Sequence, residues 1–152
     1  CDKGKEAPEH PPAAVTAIST SGNAIDAAII DLSRQGLSCR AIADELAALK
    51  PPAGPWVFVA HAPPFDSHLD RSYGKTPWGS RAIREAIERC QPMLSLHGHI
   101  HESPTVTGEY RQEIGKTVAV NAGQARAKLN YVVIEIDVAR GKVAGMEYRQ
   151  QA

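Results

Sequence analysis

Two short apolar runs, "WVFVA" at residues 56–60 and "MLSL" at 93–96, each stop on a histidine. This feature constrains the fold more than any other. Short, nearly unbroken apolar runs read as strands buried on both faces, and the aromatic and β-branched content of the first fits that reading. Between them lies a long loop rich in Pro and Gly, "HAPPFDSHLDRSYGKTPWG", and then "RAIREAIERC". That second segment is an amphipathic helix. Ser80 caps it, Ile83, Ala86, Ile87 and Cys90 face inward, Arg81–Glu85 and Glu85–Arg89 pair one turn apart, and Gln91-Pro92 ends it. A loop this long inside a compact domain points to function or to disorder.

The rest of the chain sorts around this unit. Residues 1–22 read as a loose polar lead-in. The lead-in begins at Cys1 and resembles no signal peptide, so the expectation is a piece of a longer protein. Residues 24–35 place Ile25, Ala28, Ile29 and Leu32 at helical spacing, "GLS" breaks the pattern, and Ser38 caps a second helix with Ile42, Leu46 and Leu49 on one stripe. After the second histidine come three strand-like segments, "KTVAVN", "YVVIEIDV" and "KVAGMEYR". The last two form a hairpin through "ARG", with Gly141 in the turn. The fold class expected is α/β, with a mixed sheet, flanking helices and one domain over residues 23–152.

Composition removes some functions. The 152 residues carry 17 basic and 17 acidic side chains, so no net field draws the chain to nucleic acid or to an anionic membrane. No apolar run approaches the ~20 residues of a membrane span. The three cysteines, Cys1, Cys39 and Cys90, make no metal pair, and their odd count suits a reducing, cytoplasmic setting. Residues 24–50 have the cadence of a DNA-binding helix-turn-helix, yet the second helix balances Arg40 and Lys50 against Asp44 and Glu45, which suits phosphates poorly.

The histidines carry the chemistry. His61 and His99 both lie past the carboxyl end of an expected strand, where ligands gather in sheets of this kind. In an extended segment His99 and His101 would present imidazoles to one face, at a separation suited to two ions roughly 3.5–4 Å apart. Gly98 would allow a left-handed turn or a close approach, and Pro63 would stop the first strand and fix the direction of His61. The helical His-Glu-x-x-His pattern of zinc proteases is absent.

"VAHAPPF", "GSRAIREAIE…QPMLSLHGHIHES" and "VAVNAGQ", in that order over residues 56–137, resemble the carboxyl-terminal half of calcineurin-like metallophosphoesterases. The resemblance implies part of an α/β metallophosphoesterase sandwich. It also implies a phosphate mono- or diester substrate and two divalent ions (Mn, Fe, Zn or Ni), with His61 and His99 on one and His101 on the other. Asn121 to Gln124 stand where the family has Asn-Pro-Gly-Ser, with Ala122 in place of proline. The family's Asp-x-His, Gly-Asp-x-x-Asp and Gly-Asn-His motifs are missing, and "SGNAID" at residues 21–26 is no substitute. The chain therefore reads as the back half of such an enzyme. Its partner would be a missing amino-terminal half or a second copy, and its own activity would be poor. A degenerate assembly domain is the alternative.

Further candidates are secondary. His97, Asn121 and Gly123 are expected beside the ions as support, Glu102 as a carboxylate orienting an imidazole, and Arg81, Lys75 and Arg126 as phosphate contacts. Asp66, His68 and Asp70 read as polar loop residues.

Overall fold

A computed structural model of the chain describes residues 38–124 and 128–151, together with strand backbone at 16–18 and 26–29. The order is β1 (Thr16–Ile18), β2 (Asp26–Ile29), α1 (Cys39–Ala48), β3 (Trp56–Val59), α2 (Arg81–Cys90), β4 (Leu94–His97), α3 (Ser103–Thr107), β5 (Arg111–Ile114), β6 (Thr117–Asn121), β7 (Leu129–Asp137) and β8 (Lys142–Gln151).

Alternation along the central strands decides the layers. Trp56 and Phe58 of β3 and Ala119 of β6 share one core with Leu46 of α1, its C-cap residue Leu49, and Ile83, Ala86 and Ile87 of α2. Val57, Leu94 and Val120 point the other way and pack with Val132, Ile134, Ile136, Val143 and Met146 of the β7–β8 hairpin. The sheet thus has helices on one face and a hairpin on the other, which covers its parallel strands on both sides as such strands require. Strand order is β1-β2-β3-β4-β6-β5, with β2, β3, β4 and β6 parallel and β1 and β5 antiparallel at the edges. Phe58 pairs with Ser95, and Ser95 with Ala119, so two small residues leave room for the Phe58 ring.

Both serine caps form: Ser38 Oγ accepts from Ala41 N at 3.2 Å and Ser80 Oγ from Ile83 N at 3.3 Å. α2 ends on Gln91 in the left-handed conformation, ahead of Pro92. Its charges pair otherwise than the spacing suggests. Arg84 pairs with Glu88 at 2.5 Å, and Arg89 instead donates to Leu46 O and Leu49 O at 2.7 and 2.8 Å, capping the end of α1.

Three expectations are corrected. Residues 24–35 do not form one helix, because Asp26–Ile29 is a strand that pairs in parallel with Trp56–Val59. Short apolar runs fit both periods, and here β3 takes the segment as its parallel neighbour. With that helix goes the helix-turn-helix over residues 24–50. The lead-in is also not wholly loose, since β1 lies within it. Its other residues, and His10, lie outside the described ones. The stretch after the histidines holds α3 and β5, neither of which the sequence pattern announces. Among the described residues no helix is long and apolar enough to cross a membrane.

The long loop after β3 is ordered around one buried carboxylate. Asp70, fully buried, accepts from Asp66 N at 2.9 Å, Ser67 N at 3.3 Å and Gly79 N at 3.1 Å. Pro64 and Ser80 bridge in parallel, and a Cβ at Gly79 would stand 2.7 Å from the Pro64 carbonyl, so only glycine fits there. Asp70→Ala leaves these amides unpaired and is expected to lower unfolding free energy by roughly 2–4 kcal/mol in urea titration. Unchanged stability would show that the loop is ordered by something else.

Candidate functional site

The site begins where β3 and β4 end. Their pairing continues beyond the strands: Ala60 N donates to Leu96 O at 3.1 Å and Gly98 N to His61 O at 2.9 Å. The ladder carries His61 and His99 to each other. Their rings meet edge to face with centroids 5.0 Å apart, and His61 Nε2 lies 3.3 Å from His99 Nδ1. Both side chains are exposed. A hollow of about 170 Å³ opens there, lined by His61, His97, Gly98, His99, His101, Asn121, Ala122, Gly123 and Gln124. Three neighbouring parallel strands therefore contribute from their carboxyl ends, as open parallel sheets commonly do.

The turn after β4 departs from expectation. Gly98 is not the left-handed residue; His99 is, at φ 65°. Ile100 N donates to Gly98 O at 2.7 Å, closing a three-residue γ-turn with His99 at its centre. A side-chain-bearing residue in that hand of γ-turn is strained. His99 and His101 accordingly do not alternate along an extended strand, because the chain turns at His99 and runs into α3. A Cβ at Gly98 would meet His61 Nδ1 at 3.8 Å, an ordinary contact.

The three expected supporting residues, His97, Asn121 and Gly123, hold the backbone around the hollow. His97 is structural. Its Nδ1 donates to Ala60 O at 3.1 Å and Ala62 O at 2.9 Å, and Nε2 takes the Ser95 hydroxyl. Burial pushes its pKa down to about 4, against the opposing pull of those two carbonyls, so the ring stays neutral at physiological pH. Asn121 is fully buried at the end of β6. Its Nδ2 reaches Leu69 O at 3.0 Å, Ile100 O at 3.1 Å and Gly98 O at 3.3 Å, and its Oδ1 accepts from Gly123 N at 2.9 Å. Gly123 has φ 64°, and a Cβ on it would stand 2.5 Å from His101 O, so this turn needs glycine. Proline is not needed at Ala122 for the turn to form.

Other candidates lie elsewhere. Arg81 stacks on the Phe65 ring, 3.9 Å from its centroid, and is no part of the hollow. Glu102 accepts from Thr105 N and Val106 N at 2.9 Å through its backbone, and its carboxylate orients no imidazole among the described residues. Lys75 lines a separate cleft with His68 and Arg71, and Asp66 pairs with Arg71 at 2.5 Å. Arg126 lies outside the described residues. Sequence reading missed Ser103. This buried hydroxyl donates to His68 O at 2.7 Å and accepts from Arg71 N at 3.3 Å, tying the long loop to α3. Its only sequence signal is a small polar residue after the histidine cluster.

The His61 and His99 nitrogens stand at a separation that suits joint ligation of one ion. Two nitrogens held by a tetrahedral zinc ion at 2.0–2.1 Å stand roughly 3.3 Å apart, the separation of the His61 and His99 nitrogens. Among the described residues no carboxylate lines the hollow. Among the described residues no group of three or more His, Cys, Asp or Glu side chains is gathered closely enough to hold an ion.

No family model matches the chain. A UPF0046 protein of Caenorhabditis elegans is 35% identical over 68 residues, which are 45% of this chain and 21% of that protein. The match thus spans about a fifth of the length of that relative. One solved crystal structure aligns with 73% of this chain and 38% of its own, at 21% identity and a TM-score of 0.47.

The strain at His99 is itself testable. His99→Gly is expected to be more stable than His99→Ala by about 1 kcal/mol in thermal melts, because glycine accepts positive φ without penalty. Equal stabilities would mean that His99 is not strained.

Proposed function

We propose that this chain is part of a metal-dependent phosphoesterase of the calcineurin-like kind, acting on phosphate mono- or diesters. The observation that supports it best is the 3.3 Å approach of His61 Nε2 to His99 Nδ1 at the ends of adjacent parallel strands. His61 and His99 would share one divalent ion, and His101, on the rim of the same hollow, would face a second. An ion there supplies Lewis acidity toward a phosphoryl oxygen and acidifies water.

The chain's own residues define what it can do. The two imidazoles offer neutral nitrogen donors to a borderline-soft metal such as zinc. His97 holds the ends of β3 and β4 together through Ala60 and Ala62. Asn121 and Gly123 shape the floor. Imidazoles alone leave the charge of two dications uncompensated, so the carboxylates come from a missing amino-terminal half or from a second copy. The absence of a three-residue ligand group among the described residues favours a second reading, a degenerate assembly domain.

Zinc titration of purified residues 1–152 separates the two. The phosphoesterase reading expects about one weakly bound ion per chain and poor turnover of a nitrophenyl phosphodiester. His61→Ala and His99→Ala each weaken binding at least roughly tenfold, and His101→Ala weakens it less. Zinc binding that ignores all three substitutions would leave the assembly reading.

A further inference from the structure

One group, not itself a donor to any ion, is built around the strained histidine. We propose that Asn121 is a positioning residue: its side-chain amide holds His99 in the left-handed γ-turn and so sets the separation of the His61 and His99 nitrogens. The inference rests on the reading of those histidines as joint ligands of one ion.

Three observations carry it. First, the two carbonyls flanking His99, those of Gly98 and Ile100, both lie within hydrogen-bond distance of the same Asn121 nitrogen, at 3.3 and 3.1 Å. Two carbonyls with one residue between them converge on one donor when the chain folds back tightly, as it does here with His99 at φ 65°. If His99 relaxed to negative φ, its Cα–Cβ bond would swing, and the imidazole would leave its place beside His61. Strained backbone persists only where the surroundings over-determine it, and the amide is the group that spans this turn.

Second, the same nitrogen reaches Leu69 O at 3.0 Å, in the long loop that starts from His61. Leu69 is fully buried. One side chain therefore ties the His99 turn to the loop that carries the other histidine. Third, the Asn121 oxygen is occupied by Gly123 N at 2.9 Å, which fixes which end of the amide donates. A carboxylate at position 121 would keep that acceptor and lose both donors. Asn121→Asp is thus nearly isosteric, and it replaces the clamping donor with an oxygen that opposes the three carbonyls.

A buried asparagine that only stabilises the fold would give a different result from one that positions a ligand. The test compares wild type, Asn121→Asp, the milder Asn121→Ser, His99→Ala and a control, Ile87→Ala, which destabilises the core far from the hollow. Zinc affinity is measured by competition with a chelating dye, at a temperature where circular dichroism shows each variant folded. Amide exchange at Ile100 is followed in the metal-free proteins. The expected result is a roughly 10- to 100-fold loss of zinc affinity in Asn121→Asp, with none in Ile87→Ala. Exchange at Ile100 is expected to rise at least about tenfold in the same variant, as the γ-turn opens. If His99→Ala weakens zinc binding while Asn121→Asp matches the control, the positioning role is overturned and the ligand reading stands. If His99→Ala binds zinc as wild type does, the ligand reading falls and takes the inference with it. Failure of both Asn121 variants to fold also overturns it, since the residue would then serve the whole fold.

Discussion

The backbone pairing of β3 with β4 runs past the point where both strands end, and the rest of the site depends on that extension. The bonds from Ala60 to Leu96 and from Gly98 to His61 hold two loop starts at strand spacing. They start the two loops side by side, and the His61 and His99 nitrogens stand 3.3 Å apart. The extension is reinforced from within by His97, which is half-buried and neutral and donates to both Ala60 and Ala62. A histidine is well suited to this task, because one planar ring can donate to two carbonyls on the neighbouring strand and accept a serine hydroxyl on its own.

Two buried polar side chains then fix the loops in three dimensions. Asp70 gathers three backbone amides of the loop that follows His61, and Asn121 gathers carbonyls of that loop and of the turn at His99. One is all acceptor and the other mainly donor. Together they satisfy backbone groups that irregular segments would otherwise leave unpaired in the interior. This arrangement makes a rigid rim from segments that lack regular structure, the usual basis of a precise site on a loop.

Much of this was legible in the sequence. α1, β3, α2, β4, β6 and the hairpin announce themselves because period, caps and breakers agree at each, with Ser38 and Ser80 as predicted caps. The segment around Ala28 and Ile29 misled because its apolar spacing suits a helix as well as a strand, and the choice was made by β3. The turn at His99 was not legible for a similar reason. Gly98 is the residue that local rules nominate for a left-handed turn, yet the conformation falls on its neighbour. Contacts from β6 impose it, and no local pattern encodes them. Arg81 shows the opposite error, a cation suited to phosphate by type but engaged with Phe65 in space.

His61 and His99 are proposed as a two-nitrogen donor pair for one divalent ion. X-ray absorption at the zinc edge, on the chain loaded with one equivalent of zinc, tests it most directly. The account predicts an outer-shell scattering pattern for two imidazoles on each zinc, falling to one in His61→Ala. A spectrum with no imidazole scattering, or one unchanged by that substitution, would contradict it.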